Sequence, residues 1–245
     1  FCPESELSGI GYKDFIGACW YRRTLSVHPR ENERTLLNFE AAYHTTEVFV
    51  NGKSVGNHRG GYTPFTFDIT EALRDGENVI TMCCEGDSRS RFEPSGKQSE
   101  RFSSHGCMYT RSTGIYAPVW LETVPRTHLK TVKMDPDTDN SRLFCDLEFS
   151  ESGEKTVTLT ATLDGKTVGA ATAKTTMKVL KTVVELDTLS LWSPESPTLY
   201  DLTIEVTADG QTDAVRSYFG MRKIELDDVC LKINGKRIEL EGIQE

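Results

Sequence analysis

The sequence predicts an all-β protein made of two sandwiches, and three observations support this. Apolar and polar residues alternate with a period of two, as in residues 157–163. Pairs of Asn or Asp with Gly separate the alternating runs at 51–52, 164–165, 209–210 and 234–235. No long segment shows the 3.6-residue period of an amphipathic helix. Strands joined by tight turns, with no helices between them, are typical of antiparallel sandwiches.

The elements divide near Pro125. Residues 1–125 contain aromatic-rich strands, including Trp20 and Trp120, with one helical turn expected at 70–73. Residues 126–222 contain shorter strands rich in Thr and Val, and this length suits an immunoglobulin-like sandwich. Residues 223–245 add one hairpin around Asn234 and nothing more. We therefore expect two sandwich domains followed by a short third segment.

A polar loop at about 85–106 interrupts the first domain. Loops of this length are unusual in a compact domain and are either functional or mobile. The aromatic run at 62–67, by contrast, is expected to lie mostly in the core or at a corner of the sandwich.

The net charge of −9 excludes the basic proteins that bind nucleic acid or a membrane surface. No apolar run approaches the roughly 18 residues that a membrane span needs. The seven cysteines are odd in number and lack a CxxC spacing, so we expect small buried thiols and a cytoplasmic location.

Catalytic and cofactor motifs are scarce. There is no GxSxG motif and no Walker sequence, and the glycine pattern at Gly9 fails because Asp14 holds the third glycine's place. His105 and Cys107 offer two ligands where zinc takes three or four. A glycosidase needs two facing carboxylates, and the sequence pairs none of its 37 acidic residues. We predict neither a metal nor a cofactor.

Nine strings, spread over nearly the whole chain in a fixed order, carry a family resemblance. They resemble glycoside hydrolase family 2, which includes β-galactosidase, β-glucuronidase and β-mannosidase. The strings are CWYRR (19–23), VFVNGKSVG (48–56), GGYTPF (60–65), FDIT (67–70), DGEN (75–78), STGIYAPVWLE (112–122), LWSPESPTLY (191–200), FGMRKIE (219–225) and INGK (233–236).

The resemblance implies a galactose-binding-like jelly roll at 1–125, an immunoglobulin-like sandwich at 126–222 and the start of a (β/α)₈ barrel at 223–245. The first strand of the jelly roll and most of the barrel are then missing from the chain. The parent protein would be a retaining O-glycosyl hydrolase of the β-galactosidase or β-glucuronidase type, which hydrolyses terminal β-glycosidic bonds. Both catalytic glutamates would lie beyond Glu245, so this fragment holds no catalytic residue and is expected to be inactive alone.

The resemblance also nominates a sugar contact. Many β-galactosidases and β-glucuronidases carry an Asp six residues before the Gly of the Gly-Ile motif, and Met108 holds that position here. Arg111 and Tyr109 are the substrate-binding candidates in its place, because they offer a fork of donors and an aromatic face. The alternative for Arg111 is an ion pair with a carboxylate of its own domain.

The expected partners are a carbohydrate substrate, the parent's own catalytic barrel and, as one option, further copies of the chain. Two other functions remain open: a free-standing carbohydrate-binding module and a structural sandwich whose sugar-binding label comes from the fold alone. The barrel-entry hairpin favours the glycosidase, since a free-standing module has no use for it.

Overall fold

The computed structural model describes residues 9, 11–12, 14–227 and 230–239. These residues form antiparallel strands, turns and one short 3-10 turn at Thr70–Ala72, where the sequence predicts a helical turn. The chain divides into two compact units between Val124 and Pro125. None of the described residues belongs to a helix long and apolar enough to cross a membrane.

The first unit pairs its strands into two main sheets. The strands are β1 Ala18–Val27, β2 Glu33–Phe39, β3 Ala42–Tyr43, β4 Thr45–Val50, β5 Lys53–Arg59, β6 Phe65–Asp68, β7 Gly76–Glu85, β8 Gly114–Ile115 and β9 Val119–Pro125. One sheet has the order β1-β7-β4-β5, the other β6-β2-β9, and β3 pairs with β8.

The core of the first unit lies between these sheets. Val48 and Val50 of β4 and Met82 of β7 face Leu37 and Phe39 of β2, and all five side chains are buried. Each set alternates with outward-facing residues because successive side chains of a strand point to opposite faces. This is the two-sheet architecture expected of a jelly roll. The loops that connect the strands lie outside this core.

The second unit is the expected immunoglobulin-like sandwich. Its strands are β10 Leu129–Asp137, β11 Arg142–Phe149, β12 Lys155–Leu163, β13 Lys166–Thr175, β14 Val179–Glu185, β15 Tyr200–Ala208 and β16 Gln211–Phe219. One sheet has the order β10-β11-β14 and the other β13-β12-β15-β16.

The predicted alternation is confirmed in β12 and β15. Val157, Leu159 and Ala161 are fully buried, and Leu159 lies opposite Ile204 in the antiparallel register. The intervening threonines of β12 remain partly exposed. A register shift of one residue would exchange the two faces, so the apolar pattern itself fixes the pairing.

All four predicted hairpin turns are confirmed by their backbone angles. Asn51, Asp164, Asp209 and Asn234 have φ between 49° and 52°, and the glycine that follows each has φ between 75° and 81°. Two successive residues with positive φ define the turn whose twist matches that of the flanking strands.

Three short strands form a further sheet, β17 Ile224–Leu226, β18 Leu231–Ile233 and β19 Lys236–Ile238. That this sheet opens a (β/α)₈ barrel stays a prediction, and residues 240–245 lie outside the described residues.

Two expectations need correction. Within the run 62–67, Phe65 and Phe67 pack against the core, but Tyr62 is half exposed because it lies in a bend between β5 and β6 rather than in a strand. Among the cysteines, Cys84 and Cys145 are buried, whereas Cys107 is exposed in the long loop.

Candidate functional site

A long loop, residues 86–113, connects β7 to β8 in the first unit. It extends the predicted loop of 85–106 up to the start of β8. Ser99 is fully buried inside it. The Ser99 hydroxyl donates to the main-chain oxygen of Ser103 at 2.8 Å and accepts from the main-chain nitrogen of Arg101 at 3.0 Å. The loop therefore has an internal polar core in place of an apolar one.

The position of Tyr109 is fixed by main-chain hydrogen bonds. Its N–H donates to the oxygen of Lys97 at 2.7 Å, and its oxygen accepts from the N–H of Ser99 at 2.7 Å. This short parallel pairing joins the two halves of the long loop. The Tyr109 side chain is 56% exposed, so a rigid backbone presents an open aromatic face.

Arg111 holds the long loop by hydrogen bonds from its buried side chain. Its side chain is 3% exposed and lies over the Phe15 ring, 4.4 Å from the ring centroid. The guanidinium donates to the main-chain oxygens of Phe102 and Arg101, at 3.4 and 3.5 Å, and also to that of Asp14. A charged donor shared among three main-chain carbonyls ties the end of the loop to the segment that precedes β1.

The floor beneath the loop is the buried ring of Tyr43. A Cβ added at Gly61 would lie 2.5 Å from that ring, and one at Gly86 would lie 2.8 Å from it. Both glycines are therefore required by close approach of the backbone to the ring. Burial, reinforced by Glu93, raises the pKa of Tyr43 to about 12, so its hydroxyl stays protonated.

Next to Tyr43, which contacts Tyr62, lies a pocket of about 380 Å³ with three tyrosines in its wall. The rings of Tyr62 and Tyr116 are 6.5 Å apart and inclined at 58°. Tyr62 also meets Tyr43 edge-on, with the ring centroids 6.2 Å apart. We call this the tyrosine pocket, and its lining residues are Tyr62, Ser95, Lys97, Gln98, Tyr109, Thr110, Ser112 and Tyr116.

Gln98 organises the polar side of the tyrosine pocket. Its side-chain oxygen accepts from the N–H of Ser112 at 2.7 Å, and its side-chain nitrogen donates to the hydroxyl of Tyr62 at 3.3 Å. Tyr116 donates its hydroxyl to the oxygen of Gly61. Burial, then Tyr62 and Glu40, raises the pKa of Tyr116 and keeps it a donor.

The arrangement suits a ligand that is apolar on its faces and polar at its edge. Aromatic rings cover C–H surfaces, while amide, hydroxyl and ammonium groups meet hydroxyls. Pockets of this size, lined by aromatics with a few polar groups, are typical of small-molecule sites. The described lining includes no carboxylate, so the tyrosine pocket supplies neither member of the acid pair that glycoside hydrolysis uses.

Of the three residues nominated from the sequence, only Tyr109 lines the tyrosine pocket. Arg111 is buried and donates to main-chain oxygens of its own domain. These hydrogen bonds stand where the sequence analysis considered an ion pair with a carboxylate of the same domain. Met108 is half buried, and its main chain pairs with His105. A sugar contact by any of the three stays a prediction.

The other lining residues are missing from the sequence-based set. Tyr62 belongs to a run expected in the core or at a corner of the sandwich, and Lys97 and Gln98 belong to the predicted polar loop. Tyr116 stands in a family string without a role of its own. The predicted polar loop at 85–106, which contains Lys97 and Gln98, and the nominated Tyr109 pointed to one wall of the pocket, whereas no signal pointed to Tyr62 or Tyr116. Within the described residues, no group of three His, Cys, Asp or Glu side chains is placed to hold a metal.

A second cavity, of about 730 Å³, opens between β1 and β9. Its wall is mostly apolar strand residues such as Leu37, Phe39 and Met82, with Arg22 and Arg23 at β1. Because these apolar side chains belong to the core of the sandwich, this cavity is a gap in packing rather than a set of converging polar groups.

Comparison with known proteins assigns both units. The model of the "Glycosyl hydrolases family 2, sugar binding domain" matches residues 11–125, and the model of "Glycosyl hydrolases family 2" matches residues 127–222. Together they span most of the chain, and they match in the predicted order.

Relatives and solved structures agree with this assignment. A β-galactosidase of Thermoanaerobacter pseudethanolicus is 29% identical over 244 residues, which cover 94% of this chain and 32% of that protein. A β-galactosidase of Clostridium acetobutylicum is 30% identical over 220 residues, covering 87% of this chain and 23% of that protein. The crystal structure of a Bacteroides uniformis β-glucuronidase matches with a TM-score of 0.76 at 25% identity, over 94% of this chain and 30% of that one.

The chain thus spans a third or less of the length of these three proteins. With its jelly roll and immunoglobulin-like sandwich matched in tandem, this chain belongs to glycosyl hydrolase family 2.

Proposed function

We propose that this chain is the N-terminal, non-catalytic region of an enzyme that hydrolyses terminal β-glycosidic bonds. The observation that carries the proposal is the tandem match of two family models to 11–125 and 127–222. The enzyme is a retaining glycosidase of the β-galactosidase or β-glucuronidase type, in keeping with the names of the similar proteins.

In this proposal the catalytic carboxylates lie outside the chain. A retaining glycosidase places two carboxyl groups about 5 Å apart across the scissile bond. The tyrosine pocket contributes aromatic faces and hydrogen-bonding groups only, so its role is to hold a sugar. The second unit, with its regular sandwich, serves as a scaffold.

The test compares this 245-residue chain with the product of the complete reading frame that encodes it. Nitrophenyl β-galactoside and nitrophenyl β-glucuronide are the substrates, and heat-denatured samples are the controls. We expect turnover only from the longer product. Turnover by the purified chain that survives repeated chromatography, or no β-glycosidase activity in the longer product, would refute the proposal.

A free-standing carbohydrate-binding module is the second candidate. The observation in its favour is that the tyrosine pocket is complete within the first unit. A reading frame that encodes no further domain, together with glycoside binding by this chain, would decide for the module and against the glycosidase.

A further inference from the structure

We propose that one water molecule binds in a small buried cavity beside the tyrosine pocket and joins β3 to the two ends of the long loop. In this arrangement the water accepts a hydrogen bond from the Tyr43 hydroxyl and donates to one hydroxyl oxygen at each end of the loop. The inference goes beyond the proposed function, because it concerns how the loop is closed and not which reaction the parent enzyme performs.

The first argument is the hydroxyl group of Tyr43. Only 1% of this residue is exposed, and its hydroxyl makes no hydrogen bond to any of the residues that the structure describes. Burial raises the pKa of Tyr43 to about 12, so the hydroxyl keeps its proton and remains a donor. Buried polar groups in native proteins almost always have a partner, either in the protein or in ordered water. The Tyr43 hydroxyl therefore requires an acceptor.

The second argument is a cavity that Tyr43 lines. Its volume open to the centre of a water molecule is about 10 Å³, which is about the space that a single water needs. The polar lining residues include Ser88 near the start of the long loop, Gln98, and Ser112 and Thr113 at its end. A sugar is too large for this space. A polar cavity of this size, with several hydrogen-bonding groups in its wall, is typical of the sites that buried water occupies.

The third argument is that each end of the long loop offers an acceptor. The Ser88 hydroxyl donates to the main-chain oxygen of Ser99 at 3.3 Å. The Thr113 hydroxyl donates to the main-chain oxygen of Ile16 at 3.1 Å. A hydroxyl has one proton and two lone pairs, so both oxygens still accept. One water has two protons for these oxygens and a lone pair for the Tyr43 proton, which gives the roughly three hydrogen bonds that buried waters make.

The carboxylate of Glu93 is the competing acceptor for the Tyr43 hydroxyl. Its charge adds to the effect of burial on the pKa of Tyr43, so the two groups interact through space. One oxygen of this carboxylate accepts from the Asp87 N–H at 2.9 Å, and no hydrogen bond joins Glu93 to the Tyr43 hydroxyl. A water in the cavity meets the hydroxyl without taking Glu93 from Asp87.

The decisive experiment is a crystal structure of this chain at a resolution that shows ordered water. We expect one water about 2.8 Å from the Tyr43 hydroxyl oxygen and within hydrogen-bond distance of the Ser88 and Thr113 hydroxyls. Tyr200 is the internal reference. Its residue is also fully buried, but its hydroxyl accepts from the Ser190 N–H at 2.6 Å and donates to the main-chain oxygen of Thr188 at 3.1 Å. No water is expected at that hydroxyl.

The Tyr43→Phe variant gives a second measurement, because the two possible states of the hydroxyl predict opposite signs. Loss of a water-bound hydroxyl should lower the melting temperature by about 2–4 °C. Loss of a hydroxyl without any partner would remove a buried polar group and raise the melting temperature. Tyr200→Phe is the matched control and should lower the melting temperature. In Tyr43→Phe, amide exchange should rise at both ends of the long loop and not in the second unit.

Three results would overturn the inference: a direct hydrogen bond from the Tyr43 hydroxyl to Glu93 or another protein group, no ordered water within hydrogen-bond distance of it, or a melting temperature of Tyr43→Phe at or above that of the wild type. The proposed glycosidase is judged separately, by hydrolysis with the product of the complete reading frame. None of these three results bears on that test.

Discussion

The two units of this protein use the same architecture for different purposes. In the second unit, every second residue of β12 and β15 is buried along most of each strand. An Asp-Gly turn joins each of these strands to the next one. In the first unit, the sandwich is interrupted at Glu85 by the long loop, 86–113. That loop is held by hydrogen bonds to main-chain oxygens rather than by an apolar core of its own.

The difference shows how a sandwich acquires a pocket. Regular strands leave little room for converging polar groups, because every second side chain points into the core and the others point away from it. The long loop escapes this constraint and can bring Lys97 and Tyr109 together. The cost is that its backbone groups need partners other than a neighbouring strand, which Ser99 and Arg111 supply.

The largest effect should come from the core of the second unit. Leu159→Ala removes a fully buried side chain, and the expected loss in the free energy of unfolding is about 3 kcal/mol. Thr158→Ala, on the other face of β12, is the matched control. It breaks only a 3.3 Å hydroxyl contact with Thr172 and should cost less than about 1 kcal/mol.

Hydrogen exchange followed by mass spectrometry reports the stability of β12 and β15 in each variant. Equal losses of protection in Leu159→Ala and Thr158→Ala would contradict the assignment of inner and outer faces.

In the first unit, Gly86→Ala should disturb the buried Tyr43 ring, which packs against Tyr62 of the tyrosine pocket. The new Cβ would lie 2.8 Å from the Tyr43 ring and 3.2 Å from the main-chain nitrogen of His44, so the ring must move. Overpacking of this kind costs about 1–3 kcal/mol. Gly17→Ala is the control, since its Cβ meets no described atom within 4 Å. The two glycines are joined by a 3.3 Å main-chain hydrogen bond, which makes the pair well matched.

Melting temperature and glycoside affinity are the measurements. A Gly86→Ala variant with the stability and affinity of Gly17→Ala would show that Tyr43 is not held in place from this side.

Arg111→Met tests how the long loop is held. It removes hydrogen bonds from a buried charged group, which are worth about 1.5–3 kcal/mol, and should raise amide exchange across 86–113. Arg89→Met is the control, because Arg89 also lies over the Phe15 ring, at 4.0 Å, but has a half-exposed side chain paired with Asp87. We expect little change there, as for most exposed ion pairs.

If Arg89→Met loosens the loop as much as Arg111→Met does, stacking on Phe15 is the common cause and the main-chain hydrogen bonds are secondary.

The smallest effect concerns the pH dependence of the second unit. Lys155 is buried, donates to the main-chain oxygens of Gly153 and Met177 at 2.7 and 3.1 Å, and has a pKa lowered by that burial. Between the lowered pKa and the ordinary pKa of lysine, the unfolded chain binds more protons than the folded one. The contribution of Lys155 to stability therefore rises with pH.

Relative to Lys155→Met, the wild-type melting temperature should gain about 1–2 °C between pH 8 and pH 10. Lys166→Met, which removes an exposed lysine at the start of β13, corrects for the loss of one positive charge. A constant or falling difference between wild type and Lys155→Met would contradict the lowered pKa.

Sequence analysis works well where neighbouring residues carry the information. The alternation of Val157, Leu159 and Ala161 predicts one buried face, and the structure confirms it. Asn-Gly and Asp-Gly pairs predict turns because few other residues adopt positive φ. The family resemblance rests on the same local strings, and the family models confirm it over both units.

The residues that line the tyrosine pocket could not be predicted as one site by this local reasoning. Tyr62, Lys97 and Tyr116 lie far apart along the chain and show no spacing that marks a site. Arg111 has the donors to bind a sugar, but its use was decided by carbonyl groups of Phe102 and Asp14 that tertiary folding brings to it.

The sequence by itself determined two antiparallel sandwiches, their turns and their family, because period-two burial and positive φ are local properties of the chain. Only the tertiary structure decided which tyrosines are exposed together and which arginine is buried. The physical reason is that the long loop must find hydrogen-bond partners for its backbone across the fold. The main-chain hydrogen bond between Tyr109 and Lys97, and the bond from the Ser112 N–H to the Gln98 side chain, place these residues in the wall of the tyrosine pocket.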